Sequence, residues 1–165
     1  MSERLKKLLL SFKEDRVNAG YLPDYLSHSP ETLDLLSSYK AEWMHEAHPG
    51  RTNPFLFLEA YAQLMWDLSN GYRKILIDYV RELSTRVELE EIMTDPGFLN
   101  HPGSVAILEM IDDLDNEFRA LTVVAGGSPP EGEEWWTMHY PKSGCGQLVR
   151  EIRERTGIAI LQTDA

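Results

Sequence analysis

Residues 54–80 read PFLFLEAYAQLMWDLSNGYRKILIDYV, and their periodicity decides the fold. Leu58, Tyr61, Met65, Leu68, Tyr72, Ile75 and Tyr79 recur at alternating three- and four-residue intervals, the repeat of one helical face. The stripe keeps its phase across Ser69-Asn70-Gly71, where a glycine would otherwise read as a stop. A single helix from Pro54 to about Met93 would be roughly 60 Å long at 1.5 Å per residue, against a radius of gyration near ~15 Å for a compact chain of this length. A break is therefore expected, at Gly71 or between Ser84 and Glu88. The first half is apolar nearly all round, which predicts the central, most buried helix. The second half mixes Arg73, Lys74, Asp78, Arg81 and Glu82 into its stripe and should be half exposed.

Upstream, Leu5, Leu8, Leu9 and Phe12 follow Ser2, a candidate N-cap, and predict a first helix stopped by Gly20. Ser29-Pro30 pairs an N-cap with a proline at the first helical position, so a second helix should run to about Ala47, before Pro49-Gly50. Downstream, Asp95-Pro96-Gly97 and His101-Pro102-Gly103 mark a broken connection. Ile107, Ile111, Leu114, Phe118 and Leu121 then restore the helical repeat, with Glu109, Asp112, Asp113 and Asn116 opposite.

Gly126 to Pro130 is the clearest loop, and the residues after it change character. Glu134 to Tyr140, EWWTMHY, reads as a strand. Ser143 to Arg155 is a helix candidate stopped by Gly157, Ile158 to Leu161 is a short β-branched run, and Leu121 to Ala125 is a possible further strand. The expectation is a mainly α (α+β) single domain over 1–165. It has a helical body of about four to five helices (1–125), a loop (126–133) and a β-α-β-like C-terminal element with one helix (134–165).

The 165-residue chain carries a net charge of −11, which argues against binding nucleic acid through the phosphate backbone. The imbalance is local. From Glu88 to Glu134 there are twelve acidic residues and one base, Arg119, while acids and bases balance in the remainder. One face should be distinctly acidic, suited to a basic protein partner. The residues expected to form it are Glu109, Asp112, Asp113, Asp115, Glu117, Glu131, Glu133 and Glu134, with Trp135 and Trp136. On a strand, successive tryptophans point to opposite faces, so one would be exposed as an interface aromatic unless a helix covers it.

The single Cys145 excludes an internal disulfide, and no apolar run matches a secretory segment or the ~20 residues of a membrane span, so a cytoplasmic setting is expected. Two constellations could carry chemistry. Glu42, His45 and His48 lie one turn apart on the second predicted helix, a spacing that could hold a metal. The second Glu-x-x-His of a di-iron bundle is absent, however, and the histidines could instead complement a helix C-terminus. Neither a metal nor another cofactor is expected. Lys142-Ser-Gly-Cys-Gly146 precedes a helix start, where Cys145 could act as a nucleophile with His139 as base and Lys142 as a nearby cation; alternatively Ser143 caps the helix and Cys145 merely packs there. The reading favoured is an inhibitor or immunity-type binding protein, with a small enzyme as the alternative and self-association left open.

Overall fold

The computed structural model describes residues 29–32, 34–35, 54–127, 129, 131 and 134–163. The predicted first helix, most of the second, the Glu42/His45/His48 group and Glu133 lie outside the described residues. The start of the second helix is as expected: residues 30–32 and 34–35 are helical, and the Thr32 amide donates to Ser29 Oγ at 3.1 Å. The fold is mainly α with a small β element.

Helix α1 (Pro54–Ser69) is the central element. Leu58, Tyr61, Ala62, Leu64, Met65 and Leu68 are all buried, and Phe57 and Trp66 pack against the same core. The chain leaves α1 through Gly71, which adopts φ 77°, a left-handed conformation open to glycine at little cost. The amide of Gly71 returns to the Leu68 carbonyl at 3.2 Å. Tyr72 is then extended and forms an isolated parallel bridge with Gly144, in which the Tyr72 amide donates to Ser143 O and the Cys145 amide to Tyr72 O. The stripe thus stays in phase through a residue that is not helical at all.

Helix α2 (Leu76–Thr94) runs unbroken, so of the two expected break points only Gly71 is used. Leu76, Tyr79, Leu83, Leu89 and Ile92 face the core, and the opposite side is exposed. Its N-cap, Ile75, makes no side-chain cap bond. The Leu76 amide donates instead to Glu151 Oε2 at 2.8 Å, a carboxylate 75 residues away. That bond, followed by one from Gln147, holds the Glu151 carboxyl below the usual range.

After α2, Asp95 accepts the Gly97 amide and caps a four-residue helix, α3 (Pro96–Leu99). Helix α4 (Ser104–Leu121) follows Gly103. Gly103 has an ordinary φ of −73°, but a Cβ placed there would lie 2.2 Å from the Glu31 carbonyl oxygen. Glycine is required by close backbone approach, and His101 adds a contact to Asp34 at 3.2 Å on the same seam.

Strand β1 (Thr122–Val124) pairs antiparallel with β2 (His139–Pro141), matching Val123 to Tyr140. Strand β3 (Ser143–Gly144) pairs parallel with β4 (Leu161–Gln162), and helix α5 (Gly146–Thr156) connects them. Gly157, at φ 76°, ends α5 as predicted. The helix starts at Gly146 with Cys145 in the N-cap position and Ser143 in β3, so the expected Ser143 cap is not formed.

The reading of Glu134 to Tyr140 as one strand is corrected. Trp135–Met138 forms a 3₁₀ turn, and only His139 onward is extended. The turn is closed locally: the Thr137 amide and hydroxyl both donate to the Glu134 carbonyl, and the His139 amide donates to Trp136 O.

Candidate functional site: an acidic helix face over a buried arginine

The solvent face of α4 carries exposed Glu109 and Asp112, with half-buried Asp113 and Glu117 beside them. Glu131 and Glu134 are exposed farther along the chain. Asp115 does not belong to this face. It is buried, and it accepts from Arg86 Nε at Oδ1 and from Arg86 Nη2 at Oδ2, both at 2.9 Å. Tyr61 on α1 donates its hydroxyl to Asp115 Oδ1 at 2.9 Å, and Arg86 Nη1 donates to Glu90 at 2.7 Å. One carboxylate therefore joins α1, α2 and α4.

The electrostatics follow from that enclosure. Burial alone would lower the Arg86 pKa, but the hydrogen bonds and charges of Asp115 and Glu90 outweigh it, so the guanidinium is held more firmly protonated than usual. Burial, and then the neighbouring Asp115 carboxylate, push the Tyr61 hydroxyl up, so it is a fixed donor. The residues that sequence reasoning missed are Arg86 and Tyr61. A signal was present: Arg86 sits three residues from both Leu83 and Leu89, and Asp115 four after Ile111 and three before Phe118, so each charge lies on the apolar stripe of its helix.

Trp136 is 1% exposed, and the Arg86 guanidinium lies over its ring at 4.4 Å from the centroid. Trp135 is half-buried, edge-on to Trp136 and to Phe118, with the Arg119 guanidinium 3.9 Å from its centroid. Neither tryptophan stands out as an exposed aromatic. In a 3₁₀ turn consecutive side chains do not alternate across a sheet, which removes the premise on which one of them was expected to face solvent. The single base of the acidic stretch, Arg119, is thus stacked on an aromatic ring.

The three residues of the alternative enzymatic reading are held by three different partners. Lys142 Nζ donates to the Ala120 carbonyl at 2.5 Å, and its amide donates to Leu121 O, so this lysine caps the C-terminus of α4. His139 is buried against Phe118 and Trp135, with Nδ1 2.7 Å from Thr122 Oγ1. The Thr122 hydroxyl donates its one proton to Phe118 O, which leaves His139 Nδ1 to act as the donor to Thr122. Burial and then the nearby Arg119 charge lower the His139 pKa, so the ring is kept neutral. The half-buried Cys145 thiol contacts Lys74 O at 3.6 Å and packs against the core. No nucleophile–base pair is assembled from these side chains.

A second polar cluster lies beside Cys145, where Lys74 binds Asp67 at 2.8 Å and Glu82 at 2.5 Å, and Tyr72 donates to Glu82 at 2.7 Å. It closes the turn between α1 and α2. Among the described residues no group of three or more His, Cys, Asp or Glu could hold a metal ion, and no helix is long and apolar enough to cross a membrane. Comparison with protein-family models, with curated proteins and with solved structures found no match for the chain.

Proposed function

We propose that the chain is a small binding protein, of the inhibitor or immunity type, that receives a basic protein surface on the acidic side of α4. The observation that supports this reading is the asymmetry of that side. Glu109, Asp112, Asp113 and Glu117 project from one helix, and Glu131 and Glu134 follow it. The one base of the stretch is drawn onto Trp135. The reading uses the summed field of these carboxylates, which steers a basic partner and rejects an acidic one. Nucleic acid is disfavoured as a direct ligand for the same reason. A reducing, cytoplasmic setting suits a chain whose only cysteine is a half-buried thiol.

The experiment is affinity capture from native host lysate at low and high salt, followed by association kinetics with the captured protein. Exposed charges are screened beyond ~8 Å at physiological ionic strength, so association with the wild type should slow as salt rises. Asp112→Lys with Asp113→Lys should slow it further at low salt, with circular dichroism verifying that the variant is folded. An association rate indifferent to both salt and the double substitution would overturn the reading.

A further inference from the structure

The outer face of α2 is apolar where a solvent-facing helix would ordinarily be polar. Ile77, Val80 and Val87 are 50%, 46% and 43% exposed, and with exposed Ser84 they fall at three-, four- and three-residue steps along one line. The line is about 15 Å long at 1.5 Å per residue. Single exposed aliphatics are ordinary, but three in register on one helix form a continuous strip. The residues flanking the strip change sign along it. Arg81 lies toward its N-terminal end, its side chain 74% exposed and 3.9 Å from Asp78, while Glu88 and Glu91 lie toward its C-terminal end.

We propose that this face of α2 binds a second copy of the chain, the two helices running antiparallel about a two-fold axis near Ser84. A strip that is basic at one end and acidic at the other complements itself only when reversed, and a two-fold contact supplies that reversal. An axis at Ser84 sets Val80 against Val87 of the second copy, Arg81 against Glu88, and Ile77 against the methylenes of Glu91. Ser84 itself, small and central, lets the two helices approach closely. A parallel arrangement would place like charges together at both ends. The glutamates serve through their charge, whatever other partners they hold within their own chain. One short strip covers far less than the ~800 Å² per partner of a standard interface, so the dimer is a weak one, populated at high protein concentration. The face is separate from the solvent side of α4, so this inference does not depend on the basic-partner reading.

The test is sedimentation equilibrium on the full chain from about 10 µM to about 1 mM, with wild type, Arg81→Glu, Glu88→Arg and the double swap, alongside circular dichroism to verify folding. The wild type should show a reversible monomer–dimer equilibrium that Val80→Glu abolishes. Arg81→Glu should weaken it by ~10-fold, since each substitution is met twice across a two-fold axis, and combining it with Glu88→Arg should restore it to within about threefold of wild type. Charge-swap rescue would be difficult to produce by any other occupant of the strip. A wild type that stays monomeric to 1 mM would overturn the proposal and leave the strip to a different protein or to residues of this chain outside those described. Dimerisation insensitive to Val80→Glu, or a double swap no better than either single variant, would overturn it as well.

Discussion

Arg86 and Asp115 face each other through two parallel N–H···O bonds of 2.9 Å, with 3% and 9% of their side chains exposed, and so tie α2 to α4 across the core. Such a pair gains little over a well-packed apolar one, because both ions lose their hydration; what costs most is removing one partner.

Asp115→Ala should therefore destabilise the fold by about 3–5 kcal/mol, because Arg86 would be left buried with only half-buried Glu90 to balance it and Tyr61 would lose its acceptor. Arg86→Met combined with Asp115→Leu should recover most of that loss. Reversible urea unfolding of the two variants gives the comparison, and a single-variant loss below about 1 kcal/mol would show that the pair contributes no more than an exposed salt bridge.

Leu68 is 4% exposed at the end of α1, in the apolar stripe that organises the chain. Leu68→Ala should cost ~2–5 kcal/mol, read from the same unfolding measurement, since a packed core closes only partly over the space left by a deleted side chain.

Glu151 should make stability depend on pH at the acidic end. Its folded pKa is depressed by the Leu76 amide, so its contribution is present above the unfolded value of about 4.3 and is lost as pH falls through the folded value. Glu151→Gln should lower Tm at neutral pH, with the gap from wild type narrowing below about pH 4. Amide exchange in the first turn of α2 should quicken in the variant.

His139 acts in a different window. A histidine kept neutral by burial contributes stability above its unfolded value of about 6.5, and loses it as pH falls from there through its lowered folded value. Stability of the wild type should decline as pH falls below about 6.5, and His139→Gln should flatten that decline. A proton NMR titration placing His139 above 6.5 would contradict this.

Gly103→Ala should cost about 1–3 kcal/mol or more, because the added carbon meets the backbone of Glu31 at 2.2 Å with no flexible side chain to yield. Gly127→Ala, where nothing lies within 4 Å, is the matched control and should be close to neutral.

How far the sequence could be read depended on how local each determinant is. The apolar repeats of α1, α2 and α4 were legible because burial of a helix face leaves its period in the chain, and Gly71 and Gly157 were legible because a left-handed turn selects glycine on the spot. The Trp135–Met138 turn was not, since alternation over a few residues cannot separate a strand from a 3₁₀ turn closed by Thr137 on Glu134 O. The Glu151 cap on Leu76 has no local trace, as its two halves are 75 residues apart. Of the candidate site, the exposed Glu109 and Asp112 lie where the helical wheel put them. Asp115 was misplaced because its charge outweighed its position, on the buried stripe beside Ile111 and Phe118.

The connection between α1 and α2 is finished by residues that arrive late. Tyr72 is pinned by Ser143, Gly144 and Cys145, and the first amide of α2 by Glu151. During synthesis from the N-terminus, α1 and α2 emerge well before these partners, so until α5 has left the ribosome their turn is held only by its local contacts, the Gly71 amide on Leu68 O and Lys74 on Asp67 and Glu82. A nascent chain stalled before residue 142 should then be cleaved readily between Ser69 and Leu76, and one released in full should be protected there.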